Sequence, residues 1–191
     1  MEPVLQKIAD ILCGTLDNKE QVEAEIASGK QIHPYAKHVT ALCNDKIINR
    51  PKDHPGIYIL EESYYIPPGK TTAETEIKPL FFYITARDGN TALLYSMQIP
   101  EHIKSEDAVN ANKDLVFNFN EIHPRSWGPA PYIWHDDEQC FTTDHEDPIG
   151  PGMTFRLTET LRDGELFVME SVKKDGVQIT PYNTPIHYIK K

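Results

Sequence analysis

Residues 79–99 read Pro79-Leu80-Phe81-Phe82-Tyr83-Ile84-Thr85-Ala86-Arg87-Asp88-Gly89-Asn90-Thr91-Ala92-Leu93-Leu94-Tyr95-Ser96-Met97-Gln98-Ile99. Two runs rich in apolar and β-forming residues, Pro79–Ala86 and Thr91–Ile99, flank one Asp-Gly pair. Successive strand side chains point to opposite faces, so Leu80, Phe82 and Ile84 share one side and Phe81, Tyr83 and Thr85 the other. Asp-Gly tolerates the positive φ that tight hairpin turns demand. The stretch predicts an antiparallel hairpin.

Outward from this hairpin the period of two continues. Strands are predicted over His38–Asn44, Gly56–Ile66, Leu115–Phe119, Met153–Leu161, Glu165–Lys173 and Ile186–Lys190. Leu166, Val168, Glu170 and Val172 form one alternating set, and Leu115, Phe117 and Phe119 another. Asp163-Gly164 and Asp175-Gly176 supply two more turns of the same chemistry. About eight strands joined in order favour an up-and-down β-barrel or a strongly coiled sheet. An open sheet packed on helices would give the same alternation.

Before residue 37 the period is helical. Val4, Leu5, Ile8, Ile11 and Leu12 make one apolar stripe, with Pro3 at a tolerated first-turn position and Gly14 as a stop. Asn18, with Gln21 three residues on, predicts a capped second helix that carries Val22 and Ile26 and ends at Ser28-Gly29. Residues 1–30 are therefore expected to cover one end or face of the sheet. Glu121–Gly152 interrupts the strand rhythm with five prolines, two tryptophans and an acidic run, and is expected to be a long irregular rim or lid in which Ile133 and Trp134 are candidates for a short strand.

Composition narrows the function classes. A chain of 191 residues, 39% hydrophobic and 25% charged, fits one folded domain over 1–191. No run approaches the roughly 20 apolar residues of a membrane span, and no basic segment leads into an apolar one near Met1, so a cytoplasmic location is expected. The net charge of -10, with no Lys/Arg cluster, argues against nucleic acid and anionic membranes as partners. Cys13, Cys43 and Cys140 are odd in number and widely spaced, which fits reduced thiols rather than a disulfide framework or Cys-x-x-Cys zinc sites.

Few motifs carry chemistry. Gly69-Lys70-Thr71-Thr72 ends like a phosphate-binding loop, but Tyr64 stands where that loop needs its first Gly. No Gly-x-Ser-x-Gly element occurs, so catalytic residues are unassigned. His135, Cys140 and His145 recur every five residues among acidic side chains, which suggests either a solvated acidic loop or a metal-assisted enzyme at 135–147. Glu61 and Glu62 are adjacent, so one must face the interior of a barrel, as a ligand contact or paired with an interior Tyr, Arg or His.

The chain resembles the T-type phycobiliprotein chromophore lyases (the CpcT/CpeT family). The residues that carry this are Gly14-Thr15-Leu16-Asp17-Asn18-Lys19-Glu20-Gln21, Gly56-Ile57-Tyr58-Ile59-Leu60-Glu61-Glu62-Ser63-Tyr64, the strand led by Pro79, and Pro185-Ile186-His187-Tyr188. The resemblance implies a calycin/lipocalin-like barrel that holds an open-chain tetrapyrrole (bilin) and delivers it to a phycobiliprotein cysteine. Where that family carries a Tyr-Arg-x-Arg grip for propionates, this chain reads Pro79-Leu80-Phe81-Phe82-Tyr83-Ile84, without a cation. Two main expectations follow. The first is a binding module for a small apolar or aromatic ligand, contacted by Tyr58, Glu61, Tyr64, Phe81, Tyr83 and Tyr95, requiring no metal or cofactor. The second is a bilin lyase or chaperone serving a phycobiliprotein-like client. Either is compatible with a homodimer.

Overall fold

A computed structural model describes all of residues 1–191. Helix α1 (Pro3–Leu12) starts with Pro3 in its first turn and is followed by β1 (Gly14–Asp17), helix α2 (Lys19–Ala27) and β2 (Tyr35–Leu42). Then come β3 (Ile47–Ile48), β4 (Ile57–Ile66), β5 (Glu76–Ala86), β6 (Thr91–Met97) and β7 (Phe117–Asn118). The chain continues through β8 (Ala130–His135), β9 (Cys140–Gly150), β10 (Met153–Arg162), β11 (Glu165–Lys174), β12 (Val177–Gln178) and β13 (Ile186–Lys190).

Ten of these strands close into one antiparallel barrel in the ring order β1-β2-β4-β5-β6-β8-β9-β10-β11-β13, with β13 returning to β1 through Leu16↔Lys190. Every barrel strand lies beside its neighbour in sequence, so the topology is up-and-down. Ten strands are two more than in lipocalin barrels. The three Asp-Gly pairs lie in the turns β5–β6, β10–β11 and β11–β12, and Gly164 and Gly176 there have φ of 79° and 81°. Short β12 extends β11 beyond the ring, pairing Lys173 with Gln178.

Three expectations are corrected. The segment 121–152 is not an irregular rim, because β8 and β9 form a barrel hairpin within it. Its turn lacks Gly, and Gln139 itself takes φ of 51°, so no Asp-Gly signal marks it. Exposed Pro148 sits beside the register shift near Met153–Thr154, where a missing N–H is tolerated. Leu115–Phe119 is not a barrel strand; only Phe117–Asn118 is extended, paired in parallel with β3 outside the ring. Asn18 does not close a capping box. Its Oδ1 accepts the Ala36 N–H at 2.7 Å and its Nδ2 donates to the Pro34 carbonyl at 2.9 Å, tying the start of α2 sideways to β2.

Helix α1 plugs one end of the barrel. Val4, Leu5, Ile8, Ala9 and Ile11 are buried in the same cluster as Ile57, Ile84, Trp134, Phe141, Leu161 and Leu166 from the strands. Each such aliphatic side chain removed from water contributes about 1.5–3 kcal/mol. Lys190 Nζ donates to the carbonyl of Asp10 at 2.6 Å, placing a cation at the helix C-terminus, where the last carbonyls need donors. A second cluster lies outside the barrel. There Tyr58, Leu60 and Phe81 of β4–β5 are covered by Leu115, Phe117 and Ile122. No helix is long and apolar enough to cross a membrane.

Candidate functional site

Beyond the α1 plug the barrel interior is hollow. A cavity of about 270 Å³ is bounded by 23 residues, 14 of them hydrophobic, so its walls are mainly apolar. Ile59, Phe82, Leu94, Leu157 and Val168 form much of the wall. Exposed Trp127 and Gly128 also line it, so the cavity reaches the surface there. Trp127 stacks on Phe155 with ring centroids 6.2 Å apart.

The polar lining is acidic. Glu61, Asp147, Glu159 and Glu170 join His38, His145 and the hydroxyls of Thr40 and Ser96, and no Lys or Arg is present. Strand parity puts Glu61 inward from β4, where Ser63 Oγ donates to its Oε1 at 2.9 Å and Thr40 Oγ1 to its Oε2 at 3.3 Å. His38 Nδ1 lies 3.5 Å from Glu61 Oε1 without the alignment of a hydrogen bond, and no other partner takes that nitrogen. Its Nε2 pairs with the Tyr65 hydroxyl at 3.3 Å, and its ring packs on Tyr188 with centroids 4.4 Å apart.

Glu159 comes from β10 and accepts the Tyr132 hydroxyl at 2.5 Å. Burial pushes its carboxyl up to about 8; the Tyr132 bond opposes this, while Glu61 and Glu170 add to it. Glu170, from β11, is raised first by burial and then by Glu61, with Lys78 opposing. Its side chain lines the cavity and remains accessible, yet enough protein surrounds it to raise its carboxyl. It forms neither a hydrogen bond nor an ion pair with any side chain described above. Nearer the mouth, His145 Nε2 lies 2.9 Å from Asp147 Oδ2, and the Gly128 N–H donates to Asp147 Oδ1 at 3.3 Å.

The structure separates the six residues proposed from sequence. Glu61 lines the cavity. Tyr58 and Phe81 are buried in the outer cluster, with Tyr83 and Tyr95 packed against it. Tyr83 donates to the Pro55 carbonyl at 2.8 Å, and the Tyr58 and Phe81 rings stack with centroids 5.6 Å apart. Tyr64 lies on the same outward parity and donates to Glu62 at 2.5 Å. The aromatic lining is instead Tyr65, Phe82, Trp127, Tyr132 and Phe155. Glu170 was legible as the one carboxylate in the set Leu166–Val168–Glu170–Val172, and Glu159 interrupts Leu157 and Leu161 in the same way.

His135, Cys140 and His145 do not converge. His135 pairs with Thr142 Oγ1 at 2.8 Å, Cys140 is buried beside Glu138, and His145 lines the cavity. Cys140 and His145 are an odd number of residues apart on one strand, hence on opposite faces. No group of three His, Cys, Asp or Glu side chains is arranged to hold a metal ion.

Fold and cavity together define a hollow, ten-stranded up-and-down barrel with one plugged end and an acidic, aromatic interior. Comparison with known proteins returns no matching family model, no matching curated protein and no matching solved structure.

Proposed function

We propose that this protein is a calycin-like binding module that holds a small apolar or aromatic ligand in the barrel and does not transform it. The observation that carries the reading is the cavity itself, an apolar-walled hollow reaching the surface at Trp127, where side chains could have filled the interior completely. At interior packing density it accommodates about 200 Å³ of van der Waals volume, the scale of one or two rings with a short side chain. The carboxylates weigh against a bilin lyase or chaperone, because the two propionates of a bilin would meet Glu61, Glu159 and Glu170 with no Lys or Arg in the lining.

Uptake of the neutral dye N-phenyl-1-naphthylamine, whose size matches the cavity, tests the reading. Blue-shifted, saturable emission is expected, and Ser96→Phe, which places a ring in the cavity, should abolish it while leaving the far-UV circular dichroism unchanged. Absence of uptake, or uptake indifferent to Ser96→Phe, would overturn the proposal.

A further inference from the structure

We propose that the ligand is a cation: a small amine whose ammonium sits among Glu61, Glu159 and Glu170 while its apolar body lies against Phe82, Leu94 and Leu157. The inference rests on the binding-module reading and adds the ligand's chemical class.

Three observations support it. First, three carboxyl groups from β4, β10 and β11 converge in a space that holds no Lys or Arg, and each lies within electrostatic reach of the other two. Crowding like-charged groups against apolar walls costs free energy unless they are paired. Their neighbours at the same inward parity are Leu157, Leu161, Leu166 and Val168, so an aliphatic residue would suit the fold at either Glu159 or Glu170. Second, the acceptors are underused. Glu159 is held by Tyr132 alone and Glu61 by two hydroxyls, while Glu170 has no hydrogen-bond donor. Third, His38 is 7% exposed, lines the same cavity, and leaves Nδ1 without a hydrogen bond.

An ammonium supplies what this interior lacks. It brings a positive charge to three carboxyls and three N–H donors to unfilled acceptors. A carboxylate ligand would add a further negative charge, and a neutral alcohol would supply one donor and no charge.

Calorimetric titration of the full-length chain with three isosteres in each of two series tests the proposal: tryptamine, indole-3-ethanol and indole-3-acetate, and octylamine, octanol and octanoate. In at least one series the amine should bind at least tenfold tighter than the alcohol, and the acid weakest. Glu170→Gln should bring the amine-to-alcohol ratio down at least fivefold. If that variant does not fold, the wild-type ordering decides alone. Uptake of N-phenyl-1-naphthylamine without preference for the amine in either series overturns the cationic ligand and leaves the binding module standing. Failure of every probe, that dye included, overturns both.

Discussion

The hydroxyl of Tyr132 donates to Oε2 of Glu159 at 2.5 Å inside the barrel, joining β8 to β10 across the intervening β9. Both groups are enclosed by protein, and burial is the largest cause of the upward shift of each. The groups facing Glu159 are Tyr132, Glu61 and Glu170, with His38, His145 and Asp147 in the same lining. None supplies a permanent cation.

A pH signature follows. The Glu159 carboxyl rises from an ordinary 4.5 to about 8 on folding, so between those values the folded chain binds a proton that the unfolded chain has released. The contribution of this group to stability falls as pH rises through this window, by up to about 1.4 kcal/mol per pH unit, and levels off above it. Glu159→Gln keeps an acceptor for Tyr132 and removes the titration. Urea unfolding of both chains between pH 5 and 9 should show the variant gaining on the wild type as pH increases. Parallel curves would show that Glu159 is not the group responsible.

Gly56 immediately precedes β4 with φ of 80°, and a Cβ there would lie 2.5 Å from the Ile84 carbonyl oxygen and 2.7 Å from Tyr83 Cε2. Positive-φ strain and collision with paired backbone act together in Gly56→Ala. The expected loss is about 3 kcal/mol of unfolding free energy, read as a lower urea midpoint. A loss under about 1 kcal/mol would mean that β4 and β5 separate easily at this point.

His33 joins the two ends of the chain. It is 2% exposed, with Nδ1 2.5 Å from Glu25 Oε1 of α2 and Nε2 3.0 Å from the Thr184 carbonyl. Burial alone would raise the Glu25 carboxyl. The backbone N–H and side chain of His33, with the Ile32 N–H, outweigh it and hold the group below its usual range. A depressed carboxyl contributes stability above its unfolded pKa and loses it as pH falls through the folded value. His33→Ala should therefore cost about 2–3 kcal/mol near neutrality, from lost hydrogen bonds and the space vacated, and less in acid. An equal cost at pH 3 and pH 7 would remove Glu25 from the explanation.

Much of the barrel was legible residue by residue. Alternation over Pro79–Ala86 placed Leu80, Phe82 and Ile84 on one face, and all three line the cavity. The Asp-Gly pairs marked real hairpins because that turn chemistry is local. At β8–β9 only Ile133 and Trp134 read as strand, because the prolines around them read as breaks and the turn has no glycine.

The functional face was harder to read. The sequence points to Tyr58, Phe81, Tyr83 and Tyr95 as ligand contacts, yet all four serve the outer cluster under Phe117 and Ile122. Both faces of β4–β6 are covered here, so alternation retains its period but loses the polar-versus-apolar contrast that tells inside from outside.

The amino-acid sequence by itself determined the strands, most turns, the apolar stripe of α1 and the parity that sends Glu61 and Glu62 to opposite sides, because each depends on neighbours a few residues apart. Tertiary structure alone decided that Glu61 is the inward one and that β13 closes on β1. It also decided that Glu61 meets Glu159 and Glu170, about a hundred residues further along the chain. That meeting depends on the direction in which the sheet curls and on the register in which ten strands close, and both are set by packing around α1 and beneath the outer cluster rather than by any local preference.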